Sequence, residues 1–174
     1  MPFPEIDTAT IAGIKRRWPT HTCLDPHAPA TLQFVRDFDP DYMLLAGTPM
    51  LKPSLYSLAR HGAFNRHLGM LPEYKGSDNP VWALASNDPE HMGFSIHRVA
   101  EKVDAGDVVH LEHVPIARGE RFVGYMSRFQ RRASDALVNV LDMVVESSPI
   151  DARRQPVQGR VSADRSSCGR GAAR

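Results

Sequence analysis

The sequence predicts an α/β fold built on a Rossmann-like, doubly wound sheet, and three neighbouring segments support this prediction. Residues 42–47 form a continuous apolar run that ends in glycine, which is typical of a strand buried on both faces. Residues 30–37 before this run and residues 53–61 after it place apolar side chains at helical spacing. A helix, a buried strand and a second helix in succession are the repeating pattern of a doubly wound sheet.

Length and charge limit the function classes. The chain has 174 residues, enough for one domain with its own core. Its 21 basic and 20 acidic residues leave a net charge of +1, so no strong field favours nucleic acid or a membrane surface. No apolar run has the length of a membrane span, and the N-terminus lacks a basic-then-apolar signal. We therefore expect a cytoplasmic protein whose partners are small molecules, with no nucleic-acid or membrane partner and no metal.

The first 30 residues form an atypical N-terminal segment. Residues 1–10 are polar, contain two prolines and indicate a loop. The stretch from Thr10 to Trp18 predicts a short helix that is capped by Asp7 or Thr8 and stopped by Pro19. An amphipathic loop is the alternative interpretation of the same stretch.

Two short strands are predicted around the middle of the chain, and the polar residues lie on them. Residues 63–68 predict a strand end, on which Asn65 and His67 project to the same face because residues i and i+2 share a face. Residues 74–80 contain several turn formers and predict a loop. Residues 94–99 predict the second strand, which carries His97. His97 fits either a supporting role in a site or a purely structural one.

A turn is predicted over residues 103–107, directly after the second strand. It presents Asp104 close to Gly106, where the backbone can approach a ligand closely. The chain then alternates over residues 110–116, which predicts a further strand. Residues 121–145 repeat apolar side chains at helical spacing and predict a long helix whose arginines face solvent, with a nucleic-acid patch as the weaker alternative.

The C-terminal part of the chain differs in composition from the rest. From residue 147 onward it is rich in Arg, Ser, Gly and Ala and shows no apolar periodicity. We therefore predict one domain over residues 1–146 and a largely disordered or loosely draped tail over residues 147–174.

An amide, an imidazole and a carboxylate that converge on one point indicate a specific kind of chemistry. The Asn65 amide and a protonated His67 can donate hydrogen bonds to an oxygen that gains negative charge during attack on a carbonyl. Asp104 near His67 favours the imidazolium and can hold a water for proton transfer. No nucleophilic side chain is needed if the substrate brings its own amine. The set therefore indicates direct acyl or formyl transfer.

Four short motifs, in this order, resemble the folate-dependent formyltransferase family across roughly residues 39–145. They are Asn65-x-His67, Leu71-Pro72 with Lys75-Gly76, Ser95-Ile96-His97, and Val103-Asp104-Ala105-Gly106. The sequence around the last motif most resembles that of glycinamide ribonucleotide formyltransferases. Methionyl-tRNA formyltransferases, sugar N-formyltransferases and formyltetrahydrofolate deformylases share the same pattern.

The resemblance implies a reaction, a formyl donor and a set of roles. The reaction would transfer a formyl group from 10-formyltetrahydrofolate to a small-molecule primary amine. Asn65, His67, Asp104 and His97 would be the catalytic residues. Met50 and Leu51, in the loop after the first strand, would line the folate pocket together with Asp104 and Gly106. A formyltetrahydrofolate hydrolase and a catalytically inactive folate-binding protein are the two alternatives.

The resemblance also implies what precedes these motifs in the family. The family domain normally opens with a strand and a glycine-rich turn, and in members with phosphorylated substrates that turn and the following helix hold the phosphate. Here the first glycine is Gly13, with no strand before it. We therefore expect an N-terminally truncated formyltransferase-type domain. Exposed apolar edges of such a sheet favour a homodimer or a poorly stable protein.

Overall fold

The computed structural model describes residues 8–146, 152–155 and 160–161. Its elements, in chain order, are α1 (Thr8–Arg17), α2 (Pro29–Phe38), β1 (Met43–Ala46), α3 (Pro53–Tyr56), β2 (Ala63–His67), β3 (Tyr74–Lys75), α4 (Asn79–Ala85), a 3₁₀ turn (Pro89–His91), β4 (Gly93–Arg98), β5 (Val108–His113), α5 (Phe122–Val145) and β6 (Arg160–Val161). None of the helices within this described part has both the length and the apolar character that crossing a bilayer requires.

A four-stranded sheet in the order β1-β2-β4-β5 forms the centre of the fold. β1 and β2 run parallel, whereas β4 is antiparallel to both β2 and β5. The α/β class predicted from the sequence is therefore confirmed. In the described sheet, the strands after β2 continue in the antiparallel sense.

The long helix α5 covers one face of this sheet and forms the core with it. The rings of Phe94 on β4 and Phe129 on α5 meet edge to face at 5.9 Å, and Tyr125 stacks on Phe129 at 5.4 Å. All three side chains are fully buried. Burying a side chain of this size contributes roughly 1.5–3 kcal/mol of hydrophobic stabilisation. The helices predicted over residues 10–18, 30–37 and 121–145 are confirmed to within two residues at each end.

Strand β1 is where the prediction of burial on both faces is wrong. Only Leu45 is buried, Met43 and Leu44 are half-buried, and Ala46 is exposed. The reason is position: within the described residues β1 pairs with β2 alone and is therefore an edge strand. The apolar composition of β1 is typical of a central strand, whereas β1 lies at the edge of the described sheet.

The helix predicted over residues 53–61 is too long by more than a turn. α3 ends at Tyr56, because the backbone amides of Arg60 and His61 donate to the carbonyls of Pro40 and Asp41 instead of to the preceding turn. The strand predicted over residues 110–116 is shifted and occupies residues 108–113 instead. Pro115 has no N–H to continue a ladder.

The loop predicted over residues 74–80 contains two elements that the sequence analysis did not predict. Tyr74 and Lys75 form the short strand β3, and α4 begins at Asn79. Pro80 lies in the first turn of α4, a position where proline is favourable because its missing N–H would have no helical partner. The predicted loop treats the same proline as a turn former.

Two pieces of the predicted tail fall within the described residues, and both pair with the domain. Arg153 forms an antiparallel bridge with Val108 at the start of β5. β6 pairs in parallel with β3. The rest of the tail lies outside the described residues, so the domain boundary at residue 146 stays a prediction.

Candidate active site

The predicted polar residues meet in a cleft of about 540 Å³ between the ends of β1, β2 and β4 and the turn after β4. The described lining residues are Leu45, Gly47, Thr48, Pro49, Met50, Leu51, Asn65, Arg66, His67, Leu68, Gly76, Ser77, Asp78, Asn79, His97, Val99, Ala100, Glu101, Lys102, Val103 and Asp104. A volume of this size is within the range of pockets that hold cofactors and small-molecule substrates. In the described part of the chain, no group of three or more His, Cys, Asp or Glu residues is arranged to hold a metal ion.

The pairing of β2 with β4 brings the first half of the site together. Asn65 lies opposite His97, and His67 lies opposite Ser95, in the antiparallel register. The prediction that Asn65 and His67 share a face is confirmed, because both side chains reach residues of the turn and of β4 on the cleft side. Alternation along a strand is sufficient to explain this placement.

His97 connects the amide of Asn65 to the carboxylate of Asp104. Its Nδ1 lies 2.8 Å from the carbonyl oxygen of Arg98, which can only accept, so Nδ1 carries a hydrogen. Its Nε2 lies 3.2 Å from Asn65 Nδ2 and 3.3 Å from Asp104 Oδ1. The neutral ring can therefore accept a hydrogen bond from Asn65, and the protonated ring can donate to Asp104.

One ring nitrogen of His67 is hydrogen-bonded to the backbone, and the other is directed at Asp104. Its Nε2 donates to the carbonyl of Tyr74 at 2.7 Å, and its Nδ1 lies 3.4 Å from Asp104 Oδ2. The ring is 4% exposed. Burial lowers the pKa of His67, and the attraction of Asp104 opposes this only in part. At neutral pH the resting ring is therefore neutral, whereas the role inferred from the sequence requires it to be protonated.

Asp104 is held on a strained turn by contacts from three sides. Its φ of 45° lies in the left-handed region, which is uncommon for residues other than glycine. Its Oδ2 accepts the N–H of Gly76 at 2.7 Å. Burial raises the pKa of Asp104, but the His97 ring, the attraction of His67 in its protonated form and the Gly76 N–H together outweigh burial and lower it. The carboxylate is therefore ionised at neutral pH.

The predicted folate-pocket residues divide into two groups. Met50 and Leu51 line the cleft beside Asp104, and Met50 is 69% exposed, so its side chain is accessible to a ligand. Gly106 does not line the cleft. It packs on the end of β4, where a Cβ at this position would overlap the carbonyl of Arg98. The glycine is needed for close approach to the protein's own backbone, whereas the sequence predicts a close approach to a ligand.

Two residues that the sequence analysis did not assign also reach the site. The Nδ2 atom of Asn79, at the start of α4, lies 3.1 Å from His67 Nε2 and 3.1 Å from the Gly76 carbonyl. Gln155, from the predicted tail, contacts the turn that carries Asp104. Neither could be found from spacing along the chain, because both meet the site only through tertiary contacts.

Comparison with known proteins shows the family of this chain. The family model for formyl transferases matches residues 19–141, and the chain belongs to this family. The family that the sequence motifs resemble is thereby confirmed. Curated relatives include the methionyl-tRNA formyltransferases of Chlorobium chlorochromatii, 28% identical over 81% of this chain, and of Chlorobium limicola, 26% identical over 82% of it. The chain spans 45% and 44% of the length of these two relatives.

Solved structures share the fold. The formyltransferase PseJ from Anoxybacillus kamchatkensis, crystallised with a formamido sugar nucleotide and tetrahydrofolate, superposes with a TM-score of 0.66 at 20% identity over 82% of this chain and 71% of its own. Phosphoribosylglycinamide formyltransferase from Bacillus halodurans gives a TM-score of 0.64 at 22% identity over 78% and 76% of the two chains. The predicted fold, a Rossmann-like sheet of the formyltransferase type, is therefore confirmed.

Proposed function

We propose that this chain transfers a formyl group from 10-formyltetrahydrofolate to a primary amine. The observation that carries the proposal is the convergence of Asn65, His67, His97 and Asp104 in one cleft, with each side chain within 3.4 Å of another member of the set. Membership of the formyl transferase family supports the same reaction. The two named structural relatives are a formyltransferase crystallised with a formamido sugar nucleotide and tetrahydrofolate, and a phosphoribosylglycinamide formyltransferase.

The size of the cleft and the chemistry of its walls support a folate as the ligand. Met50, Leu51, Val99 and Val103 offer apolar surface beside the polar set, and the cleft volume of about 540 Å³ suits a ligand with an aromatic ring system. When bound, 10-formyltetrahydrofolate supplies a formyl carbon: the amine forms a C–N bond to it, the C–N bond to the folate breaks, and a proton passes from the amine to the folate nitrogen.

Asn65 is the residue we assign to stabilise the charge that develops on the formyl oxygen. Its Nδ2 carries two hydrogens, of which His97 Nε2 accepts one and leaves the other for the substrate. A donor that is already oriented costs no reorganisation during reaction. His97 thereby positions Asn65 while it also contacts Asp104.

His67 and Asp104 are assigned to move the proton. Since Nε2 of His67 carries a hydrogen toward Tyr74, the neutral ring presents the lone pair of Nδ1 to the site. Nδ1 can therefore take the proton of the attacking amine, directly or through a water held by Asp104. The resulting imidazolium is stabilised by Asp104 and can join Asn65 in donating to the oxyanion.

The experiment that tests this function is absorbance-monitored turnover of 10-formyltetrahydrofolate, with and without amines. The panel contains glycinamide ribonucleotide, amino-sugar nucleotides and methionyl-tRNA, since the relatives bear the names of these acceptors. Amine-dependent release of tetrahydrofolate that is lost in Asn65→Ala supports the proposal. Release of formate without any amine indicates a hydrolase, and folate binding without turnover indicates a binding protein; either result contradicts the proposal.

We further propose that the amine acceptor is a small molecule. Charge balance disfavours a nucleic-acid partner, yet the curated relatives are named for methionyl-tRNA, so the acceptor panel decides this point. We propose a cytoplasmic location, which fractionation checks. We also propose a homodimer that covers the open edge of β1, which light scattering checks.

A further inference from the structure

A short C-terminal piece of the chain is fixed beside the turn that carries Asp104. The N–H of Val108 donates to the carbonyl of Arg153 at 3.0 Å, and the N–H of Arg153 donates back at 2.8 Å. This reciprocal pair aligns residues 152–155 along the start of β5. The piece therefore lies beside Val108, four residues after Asp104, although it comes about fifty residues later in the sequence.

Gln155 uses this position to hold the turn. Its Nε2 donates to the carbonyl oxygens of Asp104, at 3.1 Å, and of Gly106, at 2.5 Å. An amide NH₂ group has two hydrogens, so one side chain satisfies both carbonyls. Because carbonyls only accept, the amide must direct its nitrogen toward them. Its Oε1 is buried and has no hydrogen-bond partner within the described residues.

The turn needs such a tie because its backbone is not relaxed. Asp104 has a left-handed φ of 45°, and residues held in such regions persist where their surroundings enforce the conformation. Gly106 packs the far side of the turn against the carbonyl of Arg98. Gln155 binds the carbonyls of Asp104 and Gly106 and so holds both ends of this short stretch. In this position the Asp104 carboxylate contacts His67, His97 and the Gly76 N–H.

We propose that Gln155 is a positioning residue for formyl transfer, which holds the Asp104 carboxylate in the cleft by tying the carbonyls of Asp104 and Gly106. The inference rests on the proposed function for its catalytic consequence, but the tie itself can be tested without turnover. Both hydrogen bonds of Gln155 go to backbone carbonyls, so its effect on the Asp104 carboxylate passes through the backbone of the turn. Misplacing a catalytic group by about 1 Å can cost on the order of a hundredfold in rate.

The kinetic test compares Gln155→Glu, Gln155→Ala and Gln155→Asn in the full chain, with Arg154→Ala as the control. Glutamate keeps the shape of glutamine, but its carboxylate cannot donate and repels two carbonyls. We expect kcat to fall about tenfold or more in Gln155→Glu, and at least as far as in Gln155→Ala, with little change in KM. The exposed neighbour Arg154 should have no effect when replaced.

The pH profile separates positioning from a simple loss of folded protein. In the wild type, His67, His97 and the Gly76 N–H face Asp104 and lower its pKa. By the assigned roles the acidic limb of the kcat profile follows protonation of the base His67, whose pKa is lowered by burial, His97 and Lys75 and raised by the Asp104 carboxylate. A loosened turn weakens the attraction of Asp104, so the acidic limb should move to lower pH in Gln155→Ala. A merely structural role would scale the whole profile down and leave its shape unchanged, which would overturn the proposal.

A measurement on the ligand-free protein decides the tie independently of the reaction. NMR-detected exchange of the Gly76 amide should accelerate about tenfold in the Gln155 variants, and the Asp104 carboxyl should titrate nearer its ordinary pKa of 3.8. Unchanged exchange and titration in both Gln155→Glu and Gln155→Ala would overturn the proposal even in an active enzyme. If every Gln155 variant unfolds while Arg154→Ala folds, Gln155 supports the fold and the proposal is overturned. Absence of wild-type turnover would reject the proposed function alone.

Discussion

The two faces of β2 and β4 are both covered, yet they bear different kinds of side chain. Toward α5, the strands present Phe64, Phe94 and Ile96, which are fully buried among other apolar groups. Toward the cleft, the same strands present Asn65, His67, Ser95 and His97, each with hydrogen-bond partners. One face therefore gains stability by packing, whereas the other keeps polar groups buried by satisfying each of them.

This difference assigns stability to one face and chemistry to the other, and substitutions can test the assignment. Changes on the α5 face should lower the free energy of unfolding with little effect on the chemistry of molecules that remain folded. Changes on the cleft face should lower turnover more than stability. A residue that reversed this order would show that the two faces are coupled.

The largest expected effect is on the α5 face. Phe94→Ala removes a fully buried ring from its contact with Phe129 and should lower the free energy of unfolding by about 3–5 kcal/mol. Urea unfolding measures the loss. The control is Val138→Ala on the solvent side of α5, whose side chain is 53% exposed; it should change stability by roughly 0.5 kcal/mol or less.

The next effect follows the alternation along β2. Asn65→Ala and His67→Ala should each lower kcat about a hundredfold, because each removes a group directed at the reacting atoms. Ser134→Ala on α5 is the control, since Ser134 does not line the cleft and its Oγ accepts a hydrogen bond from Arg66 Nη1 at 2.6 Å. It should leave kcat near wild type and cost about 1–3 kcal/mol of stability. Equal loss of activity at all three positions would contradict the division between faces.

A smaller effect is expected at Ser95, a buried polar residue of the cleft face that does not line the cleft. Its Oγ accepts the N–H of Leu71 at 3.0 Å and donates to the Gly69 carbonyl at 2.8 Å. Ser95→Ala leaves both backbone groups without this partner and should cost roughly 1–3 kcal/mol in a denaturation experiment. Ser86→Ala, at an exposed position, should be near neutral.

The smallest effect is a pH dependence of stability. Burial lowers the folded-state pKa of His67 from 6.5, so the unfolded chain binds this proton more readily than the folded protein does. The free energy of unfolding should therefore fall as pH is lowered through 6.5 toward the lower folded-state value. His67→Gln should remove this slope. A slope that persists unchanged in His67→Gln would place its origin in another group.

Prediction from the sequence was most successful where a local pattern decides the structure. Alternation along β2 was sufficient to place Asn65 and His67 on one face, and helical spacing was sufficient for α5. Prediction from the sequence failed where contacts with residues distant in the sequence decide the structure. Residues 57–61 leave the helix because Arg60 and His61 bond to Pro40 and Asp41. Gly106 packs closely against the carbonyl of Arg98, a contact that no spacing along the chain reveals.

The sequence by itself determined the α/β class, the helices, the polar set of the site and the family that its motifs resemble. These depend on short-range periodicity and on residue types in order, both of which are properties of the chain. Only the tertiary structure decided that β1 lies at the edge of the described sheet, that His67 is buried and neutral, and that Gln155 ties the Asp104 turn. Burial and long-range hydrogen bonds arise only once distant segments pack together, so they leave no local pattern in the sequence.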